Sequence, residues 1–134
     1  MNVQRVAQIF GIVFIIVAIA GFVAPGGMSM ESDLDSAAKA LGIFPVNLIH
    51  NIVHLAFGVW GLAASRSFAG AKSFATIGGA IYLVLAIVGF LSPNGFGMVP
   101  LGGNDIWLHV ALAVGLLYFG LTAKDRGASA TATP

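Results

Sequence analysis

Cysteine is absent from the 134 residues, which removes disulfides, thiolate metal sites and cysteine nucleophiles together. Charge is almost as scarce. Charged residues make up 8% of the chain and the formal net charge is +1, and no basic patch interleaved with aromatics marks a nucleic-acid surface. No glycine-rich phosphate loop follows a strand, no His-Glu-x-x-His string occurs, and no Ser-His-acid order is convincing in so short a chain. What is present is apolar. Hydrophobic residues reach 58% and the mean hydropathy is +0.97, well beyond the share found in soluble domains. A membrane span needs about 20 mostly apolar residues to cross roughly 30 Å of hydrocarbon. Four stretches qualify, at residues 6–24, 45–64, 71–91 and 105–123.

The chain is also written twice. Gly21, Phe22, Pro25 and Gly27 return as Gly89, Phe90, Pro93 and Gly95, and Gly42, Pro45 and His54 return as Gly97, Pro100 and His109. The predicted fold is therefore all-α: one domain over residues 1–126, a four-helix transmembrane bundle built from two parallel helical-hairpin repeats, residues 1–66 and 67–126. The tail, residues 127–134, has no apolar periodicity and is expected to be disordered. Arg5 and the small residues Ala18 and Ala20 imitate a signal peptide with its cleavage site. The match of residues 14–27 to 82–95 argues that this helix is retained as half of the bundle.

The two copies are offset by 68 residues in their first helices and by 55 in their second, so the first loop carries an insertion, residues 28–40. Ser32 as a cap, Asp33 and Asp35 in a first turn, and Gly42 as a stop predict a short helix over residues 32–42. Leu34, Ala37, Ala38 and Leu41 would give it a weakly apolar face. Arg5, Arg66, Lys72, Lys124 and Arg126 flank one side of the predicted spans, whereas Glu31, Asp33 and Asp35 lie on the other. Only Lys39 departs from the pattern. The positive-inside bias then places both termini in the cytoplasm.

Helices in lipid associate through close packing and interhelical hydrogen bonds, so small residues mark their contacts. Ala7 and Gly11 repeat as Ala75 and Gly79, predicting a close crossing of helices one and three. Helix two is the most informative. Asn47, His50, Asn51 and His54 fall on one stripe at 3.6 residues per turn, and the stripe continues as Gly58, Gly61 and Ser65. Polar groups facing hydrocarbon lack partners, so this stripe is expected to face the bundle interior. Helix four carries Asp105 and His109, which align with His50 and His54. Asp105 near a helix start could equally be a simple cap favoured by the macrodipole.

Three readings of His50, His54, Asp105 and His109 follow. In the first they form a hydrogen-bonded cluster with Asn47, Asn51 and Asn104, stapling helix two to helix four. In the second, His50, His54, His109 and Asp105 offer the nitrogen and oxygen ligands that zinc accepts. In the third, His54 and His109 are pseudo-symmetric haem ligands or proton relays. Trp107 fits an interfacial belt, and Trp60, Tyr82 and Tyr118 read as packing.

The string Phe44, Pro45, Val46, Asn47, Leu48, Ile49, His50, Asn51, Ile52, Val53, His54, Leu55, with Gly58, Gly61 and Leu62, and then Asn104, Asp105, Leu108 and His109, resembles the signature of small four-span bacterial membrane proteins known as domain of unknown function 4383. The resemblance implies a bacterial inner or plasma membrane location and no assigned activity or catalytic residue. The expectation is a non-enzymatic accessory or small-molecule-binding component of the lipid bilayer, with no nucleic-acid partner and scope for homo-oligomers or a membrane-protein partner. The rival is a metal- or haem-binding protein in electron or proton transfer, and the sequence names no cofactor.

Overall fold

The computed structural model describes residues 1–127, so the tail beyond Gly127 lies outside the described residues. Four helices and one small sheet follow the order α1 (Val3–Val23), β1 (Ala38–Ala40), β2 (Phe44–Val46), α2 (Leu48–Ala64), α3 (Phe68–Leu91) and α4 (Asn104–Thr122). Three of the four start on a side chain that takes up a free backbone N–H. Asn2 accepts from Arg5 N at 2.8 Å, Asn47 from His50 N at 3.0 Å, and Ser67 from Gly70 N at 3.0 Å. α4 has no such cap and follows Gly103, whose φ is 61°.

Helices α1, α3 and α4 are long and apolar enough to cross a membrane, whereas α2 has 17 residues. At 1.5 Å per residue α2 covers about 25 Å. It begins later than the span expected from residue 45 because Phe44–Val46 is spent on the sheet, pairing antiparallel with Ala38–Ala40 and setting Lys39 opposite Pro45. The predicted short helix over residues 32–42 does not form. The acids there bond locally instead: Glu31 accepts from Ser32 N and Asp33 N, and the first-turn Asp33 accepts from Asp35 N. Lys39 Nζ folds back on the Leu34 and Ala37 carbonyls. Such side-chain bonds offer the backbone an alternative to a helix, and left-handed Leu41 and Gly42, at φ 54° and 76°, then turn β1 into β2.

The small residues pack each hairpin against itself. A Cβ added at Gly61 would lie 3.0 Å from the Ala7 carbonyl, and one at Gly11 would lie 3.0 Å from the Gly58 carbonyl, so α1 and α2 touch backbone to backbone. α3 and α4 do likewise: a Cβ at Gly79 would stand 2.9 Å from Leu117 N and one at Gly120 only 2.7 Å from Thr76 N. Gly11 and Gly79 thus make their tightest backbone contacts inside the hairpins rather than with each other. α1 and α3 meet through rings instead, with Phe14 stacked on Tyr82 at 5.3 Å and an interplanar angle of 6°.

Phe14, Phe74, Ala75, Tyr82, Ala113 and Leu116 form the buried core. Ile12, Ile16 and Ile19 on α1 and Ile77, Val84 and Ile87 on α3 remain exposed, the apolar surface that hydrocarbon would cover. Gln4 Nε2 donates to the Ser65 carbonyl at 3.4 Å and Lys72 Nζ to the Ala123 carbonyl at 3.2 Å. Both ends of the bundle sequence and the α2–α3 turn thus share one pole, here the terminal end. The β-hairpin and residues 92–103 form the other, the loop end. There the backbone repeats itself, since Phe96 and Gly97 take φ of 59° and 80°, as Leu41 and Gly42 do at the aligned positions.

Candidate functional site

The polar stripe of α2 is buried. Asn47, His50, Asn51 and His54 are each at most 3% exposed, and Asp105 and His109 of α4 are at 1%. His54 and His109 sit six and five residues into their helices, placing both rings about 8–9 Å below the loop end. The depth is less than a helix starting at Pro45 would give.

The asparagines are fasteners. Asn47 Nδ2 donates to the Met98 carbonyl at 2.8 Å, tying the start of α2 to the 92–103 loop. Asn104 does the reciprocal thing, donating to the Ile43 carbonyl at 3.0 Å while its oxygen accepts from Trp107 Nε1. Ile43 and Met98 are aligned positions of the two copies, so each half is bolted to the other's loop at the same point. Asn51 Nδ2 donates to the Gly27 carbonyl at 2.9 Å. Its amide lies so close over Gly21 that any Cβ there would collide with it. Asn104 is exposed and takes no part in the buried cluster, contrary to the stapling arrangement expected from the sequence. Among the described residues no side-chain hydrogen bond joins α2 to α4.

The three histidines, by contrast, converge. Each can offer a ring nitrogen lying within 4.8 Å of those of the other two. The His50 and His54 rings are 4.5 Å apart, and His50 and His109 are 5.9 Å apart. Phe14 stacks on His54 at 5.9 Å, and Tyr82 lies 5.3 Å from His109. A floor of rings thus supports the imidazoles from the side of α1 and α3. His50 Nδ1 lies 3.1 Å from the Pro45 carbonyl. A carbonyl can only accept, so Nδ1 carries the proton and, in the neutral ring, Nε2 presents a lone pair. Nε2 faces Asp105 Oδ2 at 3.5 Å. Asp105 is thus aimed into the cluster and supplies no side-chain cap to α4.

Native proteins pair nearly all their buried polar atoms. Here His50 Nε2, His54 Nδ1, Tyr82 Oη, Asp105 Oδ2 and both ring nitrogens of His109 have no hydrogen-bond partner among the described residues. His50, His54, Tyr82 and His109 line a cavity of about 230 Å³, while Asp105 Oδ2 and the likewise unpartnered Asn51 Oδ1 belong to residues outside its lining. Its apolar wall includes Leu85 and Val88 of α3 and Phe96 and Leu101 from the loop above. Tyr82 is the member that sequence reasoning took for packing. Its signal was available: it replaces Phe14 of the first copy, adding a hydroxyl within the apolar run of residues 77–91 of α3.

Two sequence-picked packing residues, Gly58 and Gly61, line the face of α2 that meets α1, and Ala7, Gly11, Ala75 and Gly79 are buried as well. Trp107 stands exposed near the loop end and packs on Phe44 at 5.6 Å. Three long apolar helices and a helical bundle identify a membrane protein.

A model of a family described as a domain of unknown function, DUF4383, matches residues 4–122. The chain belongs to that family. No curated protein and no solved structure matches it.

Proposed function

We propose that this protein is a membrane-embedded binding module without catalytic activity of its own. Its site is the cavity bordered by His50, His54, Tyr82 and His109. The observation that carries this reading is that four residues lining one cavity, His50, His54, Tyr82 and His109, hold buried polar atoms without partners among the described residues. Each such atom forfeits hydration worth roughly 1–3 kcal/mol unless something returns its hydrogen bond. An occupant of the cavity would return several at once.

The size of the cavity limits the occupant. Pockets for drug-sized ligands span about 300–1,000 Å³, and a cavity of about 230 Å³ suits an ion or a small molecule better than a haem. Orientation follows from charge: Arg5, Arg66, Lys72, Lys124 and Arg126 gather toward the terminal end, while Glu31, Asp33 and Asp35 lie on the loop side. Under the positive-inside bias the termini are cytoplasmic, and the cavity opens in the outer half of a bacterial plasma membrane.

Native mass spectrometry of the full chain released from detergent tests the reading. The wild type should retain a non-lipid species that Leu85→Trp, which fills the cavity with an apolar ring, excludes. Identical spectra for the two proteins would overturn it.

A further inference from the structure

We propose that His50, His54, His109 and Asp105 form a binding site for one divalent transition metal ion of the zinc class; this rests on the cavity being a binding site. The decisive contact is between His50 and Asp105. Because His50 Nδ1 must donate to the Pro45 carbonyl, its Nε2 lone pair points at Asp105 Oδ2, 3.5 Å away. Two lone pairs facing each other in a buried site repel unless a cation lies between them. A tetrahedral ion bound at about 2.0–2.1 Å holds neighbouring ligand atoms about 3.3 Å apart. The observed separation is close to that edge.

The surroundings match what a metal-bound imidazole requires. Ligating histidines donate their second ring N–H to a carbonyl or carboxylate, which fixes tautomer and ring orientation. Pro45 does this for His50. His54 and His109 bring the remaining nitrogens from two helices, within 4.8 Å of one another and of His50, and would draw together by side-chain rotation on loading. Three imidazoles and one carboxylate make a nitrogen-rich, intermediate-softness donor set, suited to zinc or cobalt and poorly suited to magnesium or calcium. The carboxylate also offsets half of the ion's charge inside the bundle. A proton shared between His50 and Asp105 is the competing cation, and Asp105→Asn separates the two. An amide N–H can donate to Nε2 and replace a proton, but it cannot replace an anionic ligand.

The test is titration of the full-length detergent-purified protein, stripped with chelator, with Co²⁺ and then Zn²⁺. One equivalent of Co²⁺ should produce visible absorption of a four-coordinate site, displaced by Zn²⁺, and Zn²⁺ should raise the thermal midpoint. His109→Leu should abolish the absorption, and Asp105→Asn should weaken Co²⁺ binding by at least about tenfold. No cobalt spectrum and no zinc-induced rise in the wild type would overturn the metal site, as would unchanged affinity in Asp105→Asn. If the mass spectrum then still shows an organic occupant, the binding module stands and only its metal falls. If it shows none, both fall.

Discussion

The two ends of this bundle are built on opposite terms. At the terminal end, glycine and alanine bring backbones together: Gly61 against Ala7, Gly11 against Gly58, and Gly120 against Thr76. Among the described residues no buried side-chain polar atom there lacks a partner. At the loop end, three histidines and a tyrosine hydroxyl are buried beside a cavity, with the Asp105 carboxylate facing His50, and they do not return one another's hydrogen bonds. Helix association in lipid needs only close packing and a few interhelical bonds, and the terminal end supplies the packing. The asparagine bolts from Asn47 to Met98 and from Asn104 to Ile43 supply the bonds. The imidazoles are therefore surplus to assembly, and a surplus of costly groups points to use.

The contrast predicts where substitutions hurt. Gly79→Leu should be the most damaging, because its first side-chain atom already meets Leu117 N at 2.9 Å and backbone cannot yield. A loss of about 3 kcal/mol or more is expected, read as a lowered thermal midpoint in detergent. Asn47→Ala comes next. It removes both the cap of α2 and the bond to Met98, about 1 kcal/mol for the cap and about 1 for the bond. Smaller still are Gly42→Ala and Gly97→Ala. Both glycines have left-handed φ and open space around the missing Cβ, so each should cost about 1 kcal/mol. Equal losses would support the duplication, and a large difference between them would count against it.

Much of this contrast is legible in the chain itself. The stripe Asn47, His50, Asn51, His54, Gly58, Gly61 has one period and one consequence, burial, because hydrocarbon gives polar groups no partner. The same logic locates His109 and Asp105. What the pattern cannot specify is which neighbour a small face meets: Ala7 and Gly11 would suit α3 as well as α2, and they meet the matching small face of Gly58 and Gly61 on α2. Nor does it separate fasteners from site. Asn51 and Asn104 share the composition of the cluster, yet each spends its amide on a loop carbonyl, a pairing set by loop conformation. The residues before α2 misled for a related reason. Ser32, Asp33 and Gly42 are as apt for local turns as for helix ends, and the turns prevail where no packed apolar face rewards a helix.

The claim that the buried imidazoles serve binding rather than assembly is tested most directly by removing them. In the chelator-stripped protein, the double variant His54→Phe with His109→Phe keeps rings over Phe14 and Tyr82 while deleting ring nitrogens that no protein group satisfies. Replacing unsatisfied polar atoms with apolar ones is close to neutral or stabilising. The thermal midpoint in detergent should therefore be no lower than that of the stripped wild type, and a clear drop would contradict the account.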